Sequence, residues 1–250
     1  MSKQPVFSEI RSSFTNSNSD MARRNKLKKF AEVLSFPNVY ENFDIEKGEL
    51  IGIGGKTFEL KGKWCSDHFK NDHPLVLELA CGRGEYTNGL AAMYPNQNYI
   101  GVDIKGARIW RGAKNAIEQN LPNAAYLRTR IEKIASFFGK EEIDEIWITF
   151  PDPFLKKPNR RLTSMTFLPE YQKILKPNGL IHLKTDSTEL YEFTMEEVLP
   201  NQNIVKLLYH DDDIYNKPLP LPELDFKTYY ERMHLANEKT IKYIRMQLNA

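Results

Sequence analysis

The sequence predicts an α/β fold in which a parallel sheet of seven strands is covered by helices on both faces. Three observations carry this prediction. From residue 74 onward, short apolar runs alternate with amphipathic stretches at the spacing of βαβ units. The runs are compact and apolar, as strands buried on both faces are. The glycines, acids and prolines with chemical character stand directly after the runs, where the ligand crevice of such a sheet lies.

Residues 1–32 are polar and end in a basic cluster of Arg23, Arg24, Lys26, Lys28 and Lys29. They are expected to form a mobile basic N-terminal arm. Such an arm either meets phosphates or stays a solvated tail, because it buries too little to offset its ordering entropy. The folded domain is expected over residues 33–250. Residues 51–55 read as a strand and turn, and 57–61 as a short strand. The first strand of the regular part is 75–80, followed by Gly82, Gly84 and a helix over 85–93. The second strand is 98–103. The helix after it, 105–119, places Ile109, Ala113, Ala116 and Ile117 on one face. A third strand at 124–127 and a short helix at 131–138 follow. The fourth strand, 143–150, runs into Pro151-Asp152-Pro153. Beyond a basic loop come a helix at 164–175, a fifth strand at 179–185 and a helix at 188–198. A sixth strand is read at 203–209, then a rigid proline connector at 218–222 and a helix at 226–237. An edge strand at 240–248 closes the chain.

Composition narrows the classes. Hydrophobic residues make up 41% and charged residues 27%, which excludes disorder or fibrous repeats for most of the chain. The two cysteines, Cys65 and Cys81, stand in no zinc-ligand spacing and are too few for a disulfide framework. No apolar run approaches the ~20 residues of a membrane span. Residues 1–19 lack the apolar core of a secretory signal, so a cytoplasmic location is expected. Net charge is only +2, so partners must be read from local patches. The five histidines show no ligand spacing. Trp64, Trp110 and Trp147 are expected to pack rather than stack on bases.

The strand ends hold the chemistry. Glu78-Leu-Ala-Cys-Gly82-Arg-Gly84 combines an acid with a glycine turn that lets a ligand approach the backbone. A dinucleotide site would want a third glycine at position 87, which is Thr, and Glu78 would repel a pyrophosphate. The turn therefore suits a cationic ligand, or is a tight turn and nothing more. Asp103 ends the second strand, placed to accept from ribose hydroxyls or to cap the next helix. Together these favour S-adenosylmethionine over a nicotinamide dinucleotide. The sharpest signal is residues 150–161, where two prolines stiffen the chain around Asp152 ahead of Lys156, Lys157, Arg160 and Arg161. There Asp152 would face the pocket and the cations would meet phosphates; the alternative is a solvated loop.

With these motifs, joined by Ile100-Gly-Val-Asp, Lys184-Thr-Asp186 and Thr228-Tyr-Tyr-Glu231, the chain resembles the bacterial tRNA (guanine-N7-)-methyltransferases from about residue 75 onward. The resemblance implies a doubly wound class I methyltransferase fold whose last strand is antiparallel. It implies transfer of a methyl group from S-adenosyl-L-methionine to N7 of a guanosine in the tRNA variable loop. By motif, Glu78, Gly82, Gly84, Asp103, Arg130 and Asp152 fall in the cofactor site, with Asp152 also catalytic. Lys156, Asp186, Thr228 and Glu231 fall on substrate-binding positions. Thr228-x-x-Glu231 also has the form of a helix capping box, and Asp186 that of a cap. The chain departs from the family at Ala80, where a glycine is usual, at Phe154, where a Trp is usual, and at Arg130, which aligns with an Asp or Asn. The rival readings are a small-molecule methyltransferase of the same fold and a non-catalytic tRNA-binding module. No obligate protein partner is evident, and monomer and homodimer both remain open.

Overall fold

The computed structural model describes residues 29, 31–42, 44 and 47–249. Of the basic N-terminal cluster, all but Lys29 lies outside the described residues. In chain order the elements are β1 (Val39–Glu41), β2 (Leu50–Ile51), β3 (Thr57–Phe58), β4 (Leu75–Leu79), α1 (Glu85–Met93), β5 (Asn98–Asp103), α2 (Gly106–Glu118), β6 (Ala124–Arg128), β7 (Ile143–Thr149), α3 (Leu168–Gln172), β8 (Leu175–Thr185), α4 (Thr188–Phe193), β9 (Val205–Asp211), α5 (Tyr229–Ala236) and β10 (Lys242–Leu248).

Among the described residues one sheet forms, in the order β3-β2-β1-β6-β5-β4-β7-β8-β10-β9. The seven predicted strands are its body, β4 to β10. The chain leaves β4 for β5 and β6 on one side, then returns to β7 and β8 on the other, all in parallel. The switch point therefore lies at β4, and the crevice opens at the carboxyl ends of β4, β5 and β7.

Side-chain alternation divides the core. Leu75, Leu77 and Leu79 of β4 face a layer with Ile100, Ile146, Phe137 and Trp64, while Val76 faces Tyr86, Tyr99, Tyr126, Trp147 and Tyr243 on the other face. Tyr126 seats both α1 and α2. Its hydroxyl donates to Asn88 Oδ1 at 2.6 Å. A Cβ on Gly84, whose φ is +66°, would stand 2.2 Å from that hydroxyl. Gly84 is thus fixed by packing as well as by backbone conformation.

Three expectations are corrected. The sheet has one further strand, β1, too short to show periodicity, while β2 and β3 fall at the strand and turn read over 51–55 and the short strand read over 57–61. The last strand is not an edge: β10 pairs antiparallel with both β8 and β9, because the β9–β10 hairpin folds back and inserts β10 first. Helix 164–175 shrinks to Leu168–Gln172, since residues from Leu175 onward join the sheet. At the start of the body Val33 is fully buried, and the Glu32 carboxylate accepts from Trp110 Nε1 at 2.9 Å.

Candidate functional site

Two adjoining clefts occupy the crevice. The larger, about 440 Å³, is walled by Asp103, Ile104, Thr129, Arg130, Ile131, Asp152 and Phe154. The smaller, about 260 Å³, is walled by Glu78, Gly82, Arg83, Glu85, Thr149, Asp186, Thr228, Tyr230 and His234. Ala80, Arg108 and Phe150 belong to both. Three non-glycine residues with left-handed backbones stand here: Ala80 at φ +58°, Phe150 at +48° and Phe154 at +42°. Each costs about 1–3 kcal/mol, and such strain persists where it shapes a site.

Glu78 is buried at the end of β4. One oxygen accepts from the Thr87 backbone N–H at 2.8 Å and the Thr87 hydroxyl at 2.5 Å, and the other accepts from the Thr149 hydroxyl at 2.5 Å. Burial pushes its carboxyl up to about 7, against the pull of those hydrogen bonds. Asp103 holds two strand ends together: its oxygens accept from the Gly82 N–H at 3.0 Å and the Lys105 N–H at 2.7 Å. It is not the cap of α2; Lys105 occupies that position without a side-chain bond. Gly82 has φ +57°, and a Cβ there would meet nothing nearer than 4.0 Å, so its open side faces the cleft.

Asp152 stands exposed at the mouth and accepts from the Phe154 N–H at 3.0 Å. Behind it, the buried Arg161 donates from Nε to the Pro153 carbonyl at 2.8 Å and lays its guanidinium over Phe193 at 4.5 Å. That prop fixes the Pro-Asp-Pro loop. Arg160 lies over Phe154 at 5.0 Å, and Arg130 is exposed on the cleft wall. Asp186 accepts from Lys239 Nζ at 2.7 Å and lies 3.5 Å from His234 Nδ1.

Three predicted residues are placed outside the clefts: Gly84, which is buried against Tyr126, together with Lys156 and Glu231. Lys156 is exposed beyond the mouth. Glu231 is completely buried: it pairs with Lys184 at 2.8 Å, accepts from the Tyr215 hydroxyl at 2.5 Å and closes a capping box with Thr228. Its carboxylate oxygens are thus engaged inside the protein and line neither cleft. Burial lowers Lys184 to about 8, with Glu231 pulling the other way. The Lys184 ammonium also donates to the carbonyls of Leu224 and Phe226 at 3.0 and 3.1 Å, pinning the proline connector under the site.

Residues missed from sequence are Arg108, Tyr230 and His234. Tyr230 and His234 sit four apart on α5, the spacing of one helix face, and that is the signal that could have found them. Among the described residues no cluster of His, Cys, Asp or Glu suits a metal ion, and no helix is long and apolar enough to cross a membrane.

The crystal structure of the 16S rRNA methyltransferase KamB shares this fold with a TM-score of 0.60 at 15% identity, over 79% of this chain and 98% of that one. The structure of an antibiotic-related methyltransferase shares it at 0.55 and 18% identity, over 78% and 97%. The class is thereby defined: a class I, Rossmann-like methyltransferase fold. A family model described as "Putative methyltransferase" matches residues 72–244. The tRNA (guanine-N(7)-)-methyltransferase of Bacteroides thetaiotaomicron is 46% identical over 225 residues, covering 90% of this chain and 86% of the relative. That of Christiangramia forsetii is 46% identical over 231 residues, covering 91% and 100%. That of Porphyromonas gingivalis is 50% identical over 216 residues, covering 86% of each. This chain belongs to the tRNA (guanine-N(7)-)-methyltransferase family.

Proposed function

We propose that this protein transfers the methyl group of S-adenosyl-L-methionine to N7 of a guanosine in the variable loop of tRNA, in the cytoplasm. Family membership supports the reading. The observation that carries it onto these residues is the pair of clefts at the switch point, acid-lined and joined through Ala80, Arg108 and Phe150. The donor set fits a nucleoside with a cationic arm: the open side of Gly82 gives backbone approach, and Asp103 keeps lone pairs for ribose hydroxyls beyond the two N–H groups it accepts from. S-adenosyl-L-methionine supplies, when bound, an electrophilic methyl carbon on a sulfonium.

N7 of guanine already carries an in-plane lone pair, so no base has to remove a proton before attack. The protein's work is alignment and charge. Glu78 holds the glycine turn in place through Thr87 and Thr149. Asp103, Gly82 and Arg130 line the donor side beside Phe150 and Phe154, and Gly84 holds the turn behind them through its packing on Tyr126. Asp152 stabilises the positive charge that develops on the purine. Asp186 and Thr228 line the purine side, Glu231 positions Thr228 through the capping box, and Lys156 meets a phosphate outside the mouth.

The test is incubation of the purified protein with unmodified tRNA and labelled donor, followed by nucleoside analysis. N7-methylguanosine mapped to the variable loop is the expected product. Label in another base, or only in a small molecule, selects the rival substrates. RNA retention without label selects a binding module.

A further inference from the structure

Helix α2 begins at the mouth of the larger cleft and carries no acid until Glu118. Lys105, Arg108 and Arg111 follow one another at three-residue intervals on it, all exposed. At ~1.5 Å per residue they span about 9 Å of helix. Lys105 and Arg108 line the cleft, while Arg111 lies beyond it. None of the three makes an ion pair among the described residues, whereas Lys114, one step further, meets Glu32 at 3.9 Å.

The far end of this stripe is anchored. Trp110 is gripped by Glu32 through its indole N–H, and the ammonium groups of Lys29 and Lys114 lie over its ring at 4.5 and 5.1 Å. Lys29, the last residue of the basic cluster, thus lies against the same face that α2 presents. Arg160 also lines the larger cleft, and Lys156 and Lys157 are exposed on the same loop. Exposed cations without counter-acids, in line with a cleft for a nucleoside, match the repeating charge of a nucleic acid strand.

We infer that the exposed face of α2 is a second phosphate-binding track, which carries the tRNA strand away from the cleft mouth along Lys105, Arg108 and Arg111. The inference rests on the proposed function and names a surface for it. Phosphate contacts of this kind set affinity and register and contribute nothing to the chemical step.

Arg111 tests it cleanly, because it lines neither cleft. Arg111→Glu is expected to weaken tRNA binding about tenfold and to flatten the slope of log affinity against log salt by about one. Arg111→Ala should produce a smaller loss in the same direction. The control is Lys140→Glu, an equal change of net charge at an 86% exposed side chain just before β7, at the opposite end of the sheet. It should leave tRNA affinity at the wild-type value. Binding of S-adenosylhomocysteine by calorimetry and the melting temperature should be unchanged in all three. If Arg111→Glu and Lys140→Glu weaken tRNA alike, or neither does, the track does not exist. If the wild-type protein fails to bind tRNA at all, the proposed function falls and the track with it.

Discussion

Lys184 and Glu231 form an ion pair with neither side chain exposed, and its energetics follow from what surrounds it. Two charges in a dry interior are held only by each other and by the carbonyls and hydroxyl that complete their hydrogen bonds. Removing one leaves the other uncompensated. Lys184→Met or Glu231→Leu alone should each cost about 3–5 kcal/mol in urea unfolding. The double variant should cost less than the sum, since the stranded charge is gone; strict additivity would show that the pair is not coupled. Asp152 poses the opposite case, a solvated acid in a stiff loop. Asp152→Ala should lower kcat about a hundredfold while tRNA affinity stays near wild type. Asp152→Asn keeps the acceptor for the Phe154 N–H and so separates charge from loop geometry. Losses of equal size in turnover and tRNA affinity would reduce Asp152 to a positioning residue. Ala80 shows why the family favours glycine there: its φ of +58° lies in the region that side chains avoid.

Helix α5 is where cap and site coincide. The Thr228 hydroxyl accepts from the Glu231 N–H at 3.2 Å, and its own proton remains free to donate into the smaller cleft. Thr228→Ala should cost about 1 kcal/mol of stability and raise KM for tRNA. Thr228→Ser should restore both, and Thr228→Val neither. A Thr228→Ala protein with wild-type stability would mean that the cap does not hold the helix. The same helix shows what sequence can and cannot reveal. Thr228 and Glu231 were legible because a capping box is a local pattern. That Glu231 turns inward to Lys184 was not, because the partner lies 47 residues away on β8. Nor was the part played by His234, whose direction depends on how α5 docks beside Asp186. Strands β4 to β8 were legible because each is an apolar run buried on both faces. β2 and β3 were legible as short pieces at 51–55 and 57–61, whereas β1, three residues long, adds to the sheet through pairing alone. The interior place of β10 depends on hairpin insertion, which no local pattern encodes. Glu78, Asp103 and Asp152 were legible because strand ends and prolines mark them.

The buried Glu78 and the half-buried His68 make the pH dependence of stability a property of the entire protein. Glu78 is raised by burial from 4.5 to about 7. Between those values the folded state binds a proton that the unfolded state has released, so stability falls as pH rises, by about 3 kcal/mol in full. His68, with Tyr40 against its Nδ1 at 2.7 Å, is lowered from 6.5 to about 4, chiefly by burial and further by Lys70. Between those values the unfolded state binds the extra proton, so stability rises with pH. The two windows overlap from about pH 4.5 to 6.5, and the opposing slopes should leave the wild-type protein nearly flat there. Single variants uncover each slope. Glu78→Gln should gain stability from pH 4.5 to 6.5, because only the histidine slope remains. His68→Gln should lose stability over the same range. The measurement is urea unfolding at half-unit pH steps with all three proteins. A wild-type profile that tilts like either variant would show that one of the two groups titrates at its ordinary value. A Glu78→Gln profile parallel to wild type would show that the carboxylate at the end of β4 is already ionised at pH 5, and with it that the cleft it lines is open to water.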